Sequence, residues 1–576
     1  GRITITPDTK QGGLRFNWLT DPRVTKTVIQ YKVKGASKWE SKSGTSYVES
    51  VTAGYKEKAA HRVEITGLTP SAEYVYRVGD GGEFMSDEKS FTAPKSADDK
   101  NFKVIFYSDP QSESVENYMS FKYSIDQALK VCPNPDLMIS AGDTTQNGYK
   151  STEWEACFEV MHDYYAKYPT VTVAGNHEMK GDWNFISFAQ RFNMSGAKTG
   201  YPEFDRTMGY FEYGDAIFVI LNGEVTPADK KPEIMKKELQ WCKSVLDASD
   251  KKWRIVMTHA GPYTSNHDPL DVRDYYINDS EYSLDKMNVD LFLNGHDHIY
   301  IRSTVKNDIK VNTGDGTTYI TGGTVGNKFY EYIPARSDYS TDFYVDEEDK
   351  QVFSVIEFSE DSIKGTAYQK QDPDDWNSFK AVDSYEILNN LQTGKQVSDY
   401  TDVSKNAWYY DAAKYVTDKQ LMSGEKPYVF GADEALTRAE VASALYNLAG
   451  QPKVELASFT DVPVTHQART AIAWAAKTGI MKGVGDNKFE PDRSVSREEI
   501  ATLLTRQRKL SGEDVSADKA AINEFADSAK ISSWAVDGVA YCTKSGLVKG
   551  NPGKVFAPAG NTTRAELATI IQRIAA

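Results

Sequence analysis

Five short stretches place an aspartate, asparagine or histidine where an apolar run stops. They are SDPQ with Asp109 and Gln111, AGD with Asp143, AGNHE with Asn176, His177 and Glu178, THAGP with His259, and GHDH with His296 and His298. The chain has only eight histidines, and four of them fall in these stretches. Histidines scattered through a core would not gather in this way. The set mixes imidazole, carboxylate and amide groups and contains no thiolate, a donor set suited to Zn, Mn or Fe rather than to a cysteine-based structural zinc. Two carboxylates, an amide carbonyl and three imidazoles exceed the needs of one tetrahedral ion. They suit two ions that share Asp143, a pair about 3.5–4 Å apart that activates water and clamps an in-line displacement.

Such residues converge only if the chain delivers them to one edge. The runs FKVIFYSD, DLMISAGD, TVTVAGNHE, AIFVILNGE, WRIVMTHAG and VDLFLNGHDH alternate with helical stretches, the pattern of a layered α/β domain. In such domains the carboxyl ends of neighbouring strands open onto a common crevice. A single core does not serve 576 residues, and about three to five domains are expected. Before this region, TVIQYKV, AHRVEITGL and AEYVYRVGD alternate apolar and polar residues between turns, which predicts a small antiparallel β-sandwich over 1–96. The net charge of −15, with no basic stripe, argues against a nucleic-acid-binding domain. No apolar run reaches the length of a membrane span. The four cysteines form no CxxC pair; one disulfide among Cys132, Cys157 and Cys242 is compatible with their spacing.

SDPQ, GD, GNHE, THAGPY and GHDH stand in the order and spacing of the calcineurin-like metallophosphoesterases, and the preceding sandwich makes residues 1–370 resemble the purple acid phosphatase-like branch. GLTPSAEYVYRV, with Leu68, Pro70, Tyr74 and Tyr76, resembles the tyrosine-corner stretch of fibronectin type III domains. The resemblance implies that Asp109, Asp143 and His298 bind one metal and that Asp143, Asn176, His259 and His296 bind the other. It makes His177 the acid for the leaving group, with Glu178 orienting it. His267, in YTSNHDPLD, is a candidate contact to the substrate phosphate. Two positions depart from the pattern. Gln146 stands where the purple enzymes place a tyrosine that binds ferric iron. Gln111 stands where many relatives have histidine, and as a neutral amide it is a weaker ligand. The metals are therefore expected to be Fe, Mn or Zn, with their identities open.

The last third repeats itself. YTDVSKNAWYYDAAKYV, FTDVPVTHQARTAIAWA and FADSAKISSWAVDGVAY align, as do LTRAEVASALYNL, VSREEIATLLTRQ and TTRAELATIIQRI. The spacing from Asp402, Asp461 and Asp527 to Arg438, Arg497 and Arg564 is nearly constant. The copies resemble S-layer homology modules, which implies a three-lobed helical unit that grips secondary cell-wall polysaccharide. The S/T-x-x-E pattern alone explains a helix capping box. It does not call for the arginine at the second position, and the resemblance assigns Arg438, Arg497 and Arg564 to an acidic sugar. Trp408 and Trp534 are expected to pack the repeat cores.

The expected architecture is multidomain. A fibronectin type III-like sandwich (1–96) precedes an αββα-layered metallophosphoesterase domain (100–371). A linker (372–398) leads to three α-helical S-layer homology repeats (399–451, 457–512 and 522–576). The expected function is hydrolysis of phosphate esters, monoesters first, by a secreted enzyme held at the cell surface. The alternatives are a phosphodiesterase or nucleotide hydrolase, and a surface adhesin on a spent phosphoesterase scaffold.

Overall fold

A computed structural model describes residues 2–50, 58–194, 196–197, 199–224, 231–266, 270–277, 282–306, 309–311, 316–334, 340–345, 350–388, 400, 402–419, 421–422, 424, 429–452, 454, 459–462, 466 and 468–575. It divides into two compact units, Gly1–Gln392 and Thr393–Ala576.

The first unit opens with eight strands: β1 (Arg2–Pro7), β2 (Leu14–Thr20), β3 (Val28–Val33), β4 (Glu40–Ser43), β5 (Thr45–Val48), β6 (Ala59–Ile65), β7 (Glu73–Gly79) and β8 (Lys89–Thr92). They form two antiparallel sheets, β1-β2-β6-β5 and β4-β3-β7-β8. Alternate residues from both sheets, including Ile3, Ile5, Phe16, Tyr76 and Phe91, close the core between them. The Tyr74 hydroxyl accepts from the Thr69 N–H at 3.0 Å, the tyrosine corner that GLTPSAEYVYRV predicts.

Two further sheets and their helices follow. One sheet runs β11-β10-β9-β20-β21-β22, built from β9 (Phe102–Tyr107), β10 (Leu137–Ser140), β11 (Thr170–Thr172), β20 (Val352–Phe358), β21 (Ser362–Lys370) and β22 (Phe379–Leu388). The other contains β12 (Gly209–Tyr213), β13 (Ala216–Ile220), β14 (Trp253–Met257), β15 (Leu291–Asn294), β18 (Thr317–Gly322), β16 (Tyr300–Lys306) and β17 (Ile309–Lys310) in that order. A further strand, β19 (Thr341–Val345), pairs with β16. The period of two sorts the side chains. Val104, Phe106, Leu137 and Ile139 meet Phe218, Ile255, Leu291 and Leu293 between the sheets. Ile105, Tyr107 and Met138 face outward and share a core with residues of the helices Val115–Val131 and Ser151–Tyr165. Strands β9, β10 and β11 are mutually parallel, as are β14 and β15, so the motif residues leave their sheets at carboxyl ends.

Two sequence expectations need correction, and one open possibility is closed. The stretch 372–398 is not simply a linker, because it contains the ten-residue strand β22, paired along its length with β21. Cys132, Cys157, Cys242 and Cys542 are all free, buried thiols, so no disulfide joins any of the first three. Trp408 and Trp534 do not pack the repeat cores; they are 69% and 56% exposed, and Trp474 is the buried one.

The second unit holds helices Tyr410–Asp418, Arg438–Leu448, Arg469–Lys477, Arg497–Leu510, Val536–Lys544 and Arg564–Ala575. Each repeat closes on itself through its aspartate. Asp402 accepts from the N–H groups of Phe430 and Gly431, Asp461 from Phe489 and Glu490, and Asp527 from Phe556 and Ala557, all at 2.7–2.8 Å. Among the described residues no helix is long and apolar enough to cross a membrane.

Candidate metal centre

The motif residues arrive on tight turns. Asp109, Asp143, His296 and His298 have φ values of 51°, 51°, 73° and 55°, a left-handed conformation that costs each of them about 1–3 kcal/mol. Neighbouring glycines make room for the carboxylates. A Cβ on Gly295 would stand 2.6 Å from Asp109 Oδ2, and one on Gly175 would stand 2.2 Å from Asp143 Oδ1. The sandwich supports the segment that follows GNHE. Thr4, Asn17 and Arg62 donate to backbone carbonyls of residues 189–191.

The side chains converge in two overlapping groups. His259 Nε2 lies 3.1 Å from Asp143 Oδ2 and 3.1 Å from Asn176 Oδ1. His296 Nδ1 lies 3.1 Å from Asn176 Oδ1 and 3.2 Å from His259 Nε2. Donor atoms bound to one ion at about 2.1 Å stand about 3.0–3.4 Å apart, so these separations fit a common cation. The second group is Asp109, Asp143 and His298, and Asp143 belongs to both. His298 Nε2 is 3.5 Å from Asp109 Oδ1. Gln111 reaches this group, its amide nitrogen donating to His298 Nε2 at 2.7 Å. Asp109 Oδ1 and Gln111 Oε1 are buried with no hydrogen-bond partner among the described residues. Orphaned acceptors, crowded ring nitrogens and a mixed N/O donor set all fit metal ions.

Electrostatics agrees with that fit. Burial, reinforced by Asp143, pushes the Asp109 carboxyl up to about 7. Burial acts the same way on Asp143, but His259, His177 and His296 outweigh it and hold that carboxyl low. Burial opposes a charged His259, yet Asp143 and Asp109 raise it well above the ordinary imidazole value. These groups compensate one another's charge in a dry site, the task a cation performs.

Backbone carbonyls set the imidazole tautomers. His259 Nδ1–H donates to Ala141 O at 2.8 Å, and His298 Nδ1–H donates to Lys328 O at 2.6 Å, so each ring turns Nε2 inward. His177 Nδ1–H donates to Gln146 O at 2.7 Å, and its Nε2 faces Asp143 Oδ2 at 4.0 Å. Glu178 therefore does not orient His177 directly. Its carboxylate accepts from the N–H groups of Asp143, Gly175, Thr144 and Thr145 and ties the second motif to the third. No sequence pattern announces the carbonyls of Ala141, Gln146 or Lys328, because every residue carries one. His267 lies outside the described residues.

In the repeats, Thr437–Glu440, Ser496–Glu499 and Thr563–Glu566 form the capping-box contacts. The arginines between them are buried. Arg438 donates to Phe489 O and Lys482 O, and Arg497 to Phe556 O and Lys549 O, in each case in the following repeat. Arg497 also pairs with Glu566, and Arg564 pairs with Glu440 at 2.5 Å, which closes the ring of three. The acidic sugar that the resemblance assigns to all three would meet guanidinium groups already paired with carboxylates in Arg497 and Arg564.

Comparison with known proteins locates these features. The model of the calcineurin-like phosphoesterase family matches residues 102–300, that of the purple acid phosphatase N-terminal domain matches 1–93, and that of the S-layer homology domain matches 399–442, 458–501 and 524–568. An amylopullulanase of Thermoanaerobacterium thermosulfurigenes is 31% identical over 173 residues, which is 30% of this chain and 9% of that protein. Purple acid phosphatase 23 of Arabidopsis thaliana is 27% identical over 308 residues, 47% of this chain and 64% of that one. The chain thus spans less than two thirds of the length of either relative. A solved purple acid phosphatase from yellow lupin (Lupinus luteus) seeds shares the fold at a TM-score of 0.54 and 14% identity, covering 67% of this chain and 74% of that one.

Proposed function

Since the chain carries a calcineurin-like phosphoesterase domain behind a purple acid phosphatase N-terminal domain and ahead of three S-layer homology repeats, we propose that it is a cell-wall-anchored phosphomonoesterase with a dinuclear metal centre. The observation that carries the reading is the convergence of Asp143, His259, Asn176 and His296, linked by four contacts of 3.1–3.2 Å. Asp109, Asp143, His298 and Gln111 would hold one ion, and Asp143, Asn176, His259 and His296 the other. When bound, the pair supplies Lewis acidity that activates water and offsets negative charge at phosphorus.

The protein's own groups do the rest. With Nδ1 engaged by Ala141 O in His259 and by Lys328 O in His298, Nε2 is the nitrogen each ring would offer to a metal. Gln146 fixes the His177 ring, and burial pushes that imidazole below its usual value, so it yields a proton readily. In its imidazolium form His177 would give its Nε2 proton to the departing alcohol oxygen as the P–O bond breaks, and the water that adds to phosphorus supplies the proton that restores the ring. Alcohol and phosphate leave. The repeats hold the enzyme on wall polysaccharide. Arg438, Arg497 and Arg564 shape that surface by stapling repeat to repeat, and the exposed Trp408 and Trp534 offer faces to sugar rings.

The test is hydrolysis of monoester and diester model substrates after metals are added back. The wild type should prefer the monoester, and His296→Ala should lose turnover. Full activity in His296→Ala would refute the ligand set. A wild type that binds metal but cleaves no ester would favour the adhesin.

A further inference from the structure

The strand β18 leads into a segment, Gly323–Tyr330, that wraps the first motif. Thr324 Oγ1 donates to Asp109 O at 2.8 Å, and the Val325 N–H donates to Ser108 O at 3.1 Å. A Cβ on Gly326 would stand 2.8 Å from Asp109 O, so the segment lies directly on the turn that presents this ligand. The other side is held by Gln351, which donates to Gly326 O at 3.0 Å. The backbone of Lys328 is therefore fixed, and its carbonyl holds His298.

The side chain of Lys328 has no such employment. The chain carries 82 acidic against 67 basic residues, and lysines such as Lys95, Lys122 and Lys310 sit against carboxylates. Lys328 is half-buried and has no carboxylate partner among the described residues. Its ammonium lies 5.1 Å from the centre of the Tyr330 ring, and that ring lies 4.7 Å from the His298 ring. An ammonium with no carboxylate partner among the described residues thus stands beside the His298 edge of the centre, one aromatic ring away from a residue that would hold metal.

We infer that Lys328 is the cation that receives the peripheral oxygens of the substrate phosphate and selects dianionic monoesters over monoanionic diesters. The inference rests on the phosphoesterase reading above and adds a residue that none of the five motifs contains. A charge-assisted hydrogen bond to phosphate is lost in Lys328→Ala, which should weaken binding about tenfold or more. The metal ligands should not move, because the carbonyl that holds His298 survives the substitution.

The experiment compares metal-loaded wild type, Lys328→Ala and Lys328→Arg. It reads metal content, the Kd of inorganic phosphate by titration calorimetry, and kcat and KM on a monoester and a diester. Lys328→Ala is expected to keep its metal, to bind phosphate about tenfold more weakly, and to raise the monoester KM by a similar factor with kcat within about threefold. The diester KM should change less, and Lys328→Arg should recover most of the loss. Phosphate affinity and KM within twofold of an active wild type would overturn the assignment. A wild type that neither binds phosphate nor cleaves either ester would remove the function from which the inference starts.

Discussion

Glu178→Gln tests how the framework of the centre is held. The two carboxylate oxygens accept four backbone N–H groups, Asp143 at 3.0 Å and Gly175 at 2.8 Å on Oε2, Thr144 at 2.6 Å and Thr145 at 3.1 Å on Oε1. Burial, with help from the Asp143 charge, pushes this carboxyl up to about 8. Donors occupy both oxygens, however, and leave no acceptor for a carboxyl proton, so the geometry is that of the anion. Glutamine keeps the shape but turns an NH₂ group toward two N–H donors. Two buried donors then lack acceptors, at about 1–3 kcal/mol each, and a total near 3 kcal/mol is expected. Because those donors belong to the turns that present Asp143 and Asn176, the loss should also appear as about 10–100-fold weaker metal binding. Urea unfolding and titration against a competing chelator measure the two effects. Stability within about 0.5 kcal/mol of wild type, with unchanged metal affinity, would refute the reasoning. It would mean that Glu178 is protonated and that glutamine is its isostere.

Two further outcomes follow from buried groups elsewhere. Burial pushes Glu238 up to about 8. Its folded-state pKa lies above the unfolded value, so its contribution is complete below about pH 4.5 and is lost as pH rises through about 8. Glu238→Gln should flatten the fall in stability between pH 5 and 8, worth up to about 4 kcal/mol, and leave a smaller slope from Asp290, which burial pushes to about 7. Urea midpoints at the two pH values check this, and parallel slopes for wild type and variant would contradict it. Arg497→Ala removes donors to Phe556 O and Lys549 O and strands Glu566, for a loss of about 3 kcal/mol in the repeats. Hydrogen exchange of helix Arg564–Ala575 in the full chain should quicken. Unchanged exchange with lost sedimentation on cell walls would make the arginine a sugar ligand instead of a staple.

The residues that chemistry demands were legible because they are rare and strictly placed. A histidine in the turn that ends an apolar strand seldom serves packing alone, and His259, His296 and His298 meet as that pattern implies. The alternation in FKVIFY and LFLN likewise matches the two faces of their sheets. What stayed hidden depends on the backbone or on an edge. Gln146 and Lys328 act through carbonyls, which no residue type marks. Strand β22 is the last strand of its sheet and buries few of its side chains, so its polar sequence reads as a linker. Arg438, Arg497 and Arg564 carry the same letters whether they hold a glycan or the next repeat, and only the position of Phe489 O and Phe556 O separates the two roles.

Side chains from five separated turns are proposed to share a pair of cations. Elemental analysis of the purified full chain, dialysed after incubation with Fe, Mn or Zn, tests this most directly. Two transition-metal ions per chain are expected in the wild type and fewer in His296→Ala. A wild type that retains none, or a variant that retains as many as the wild type, would contradict it.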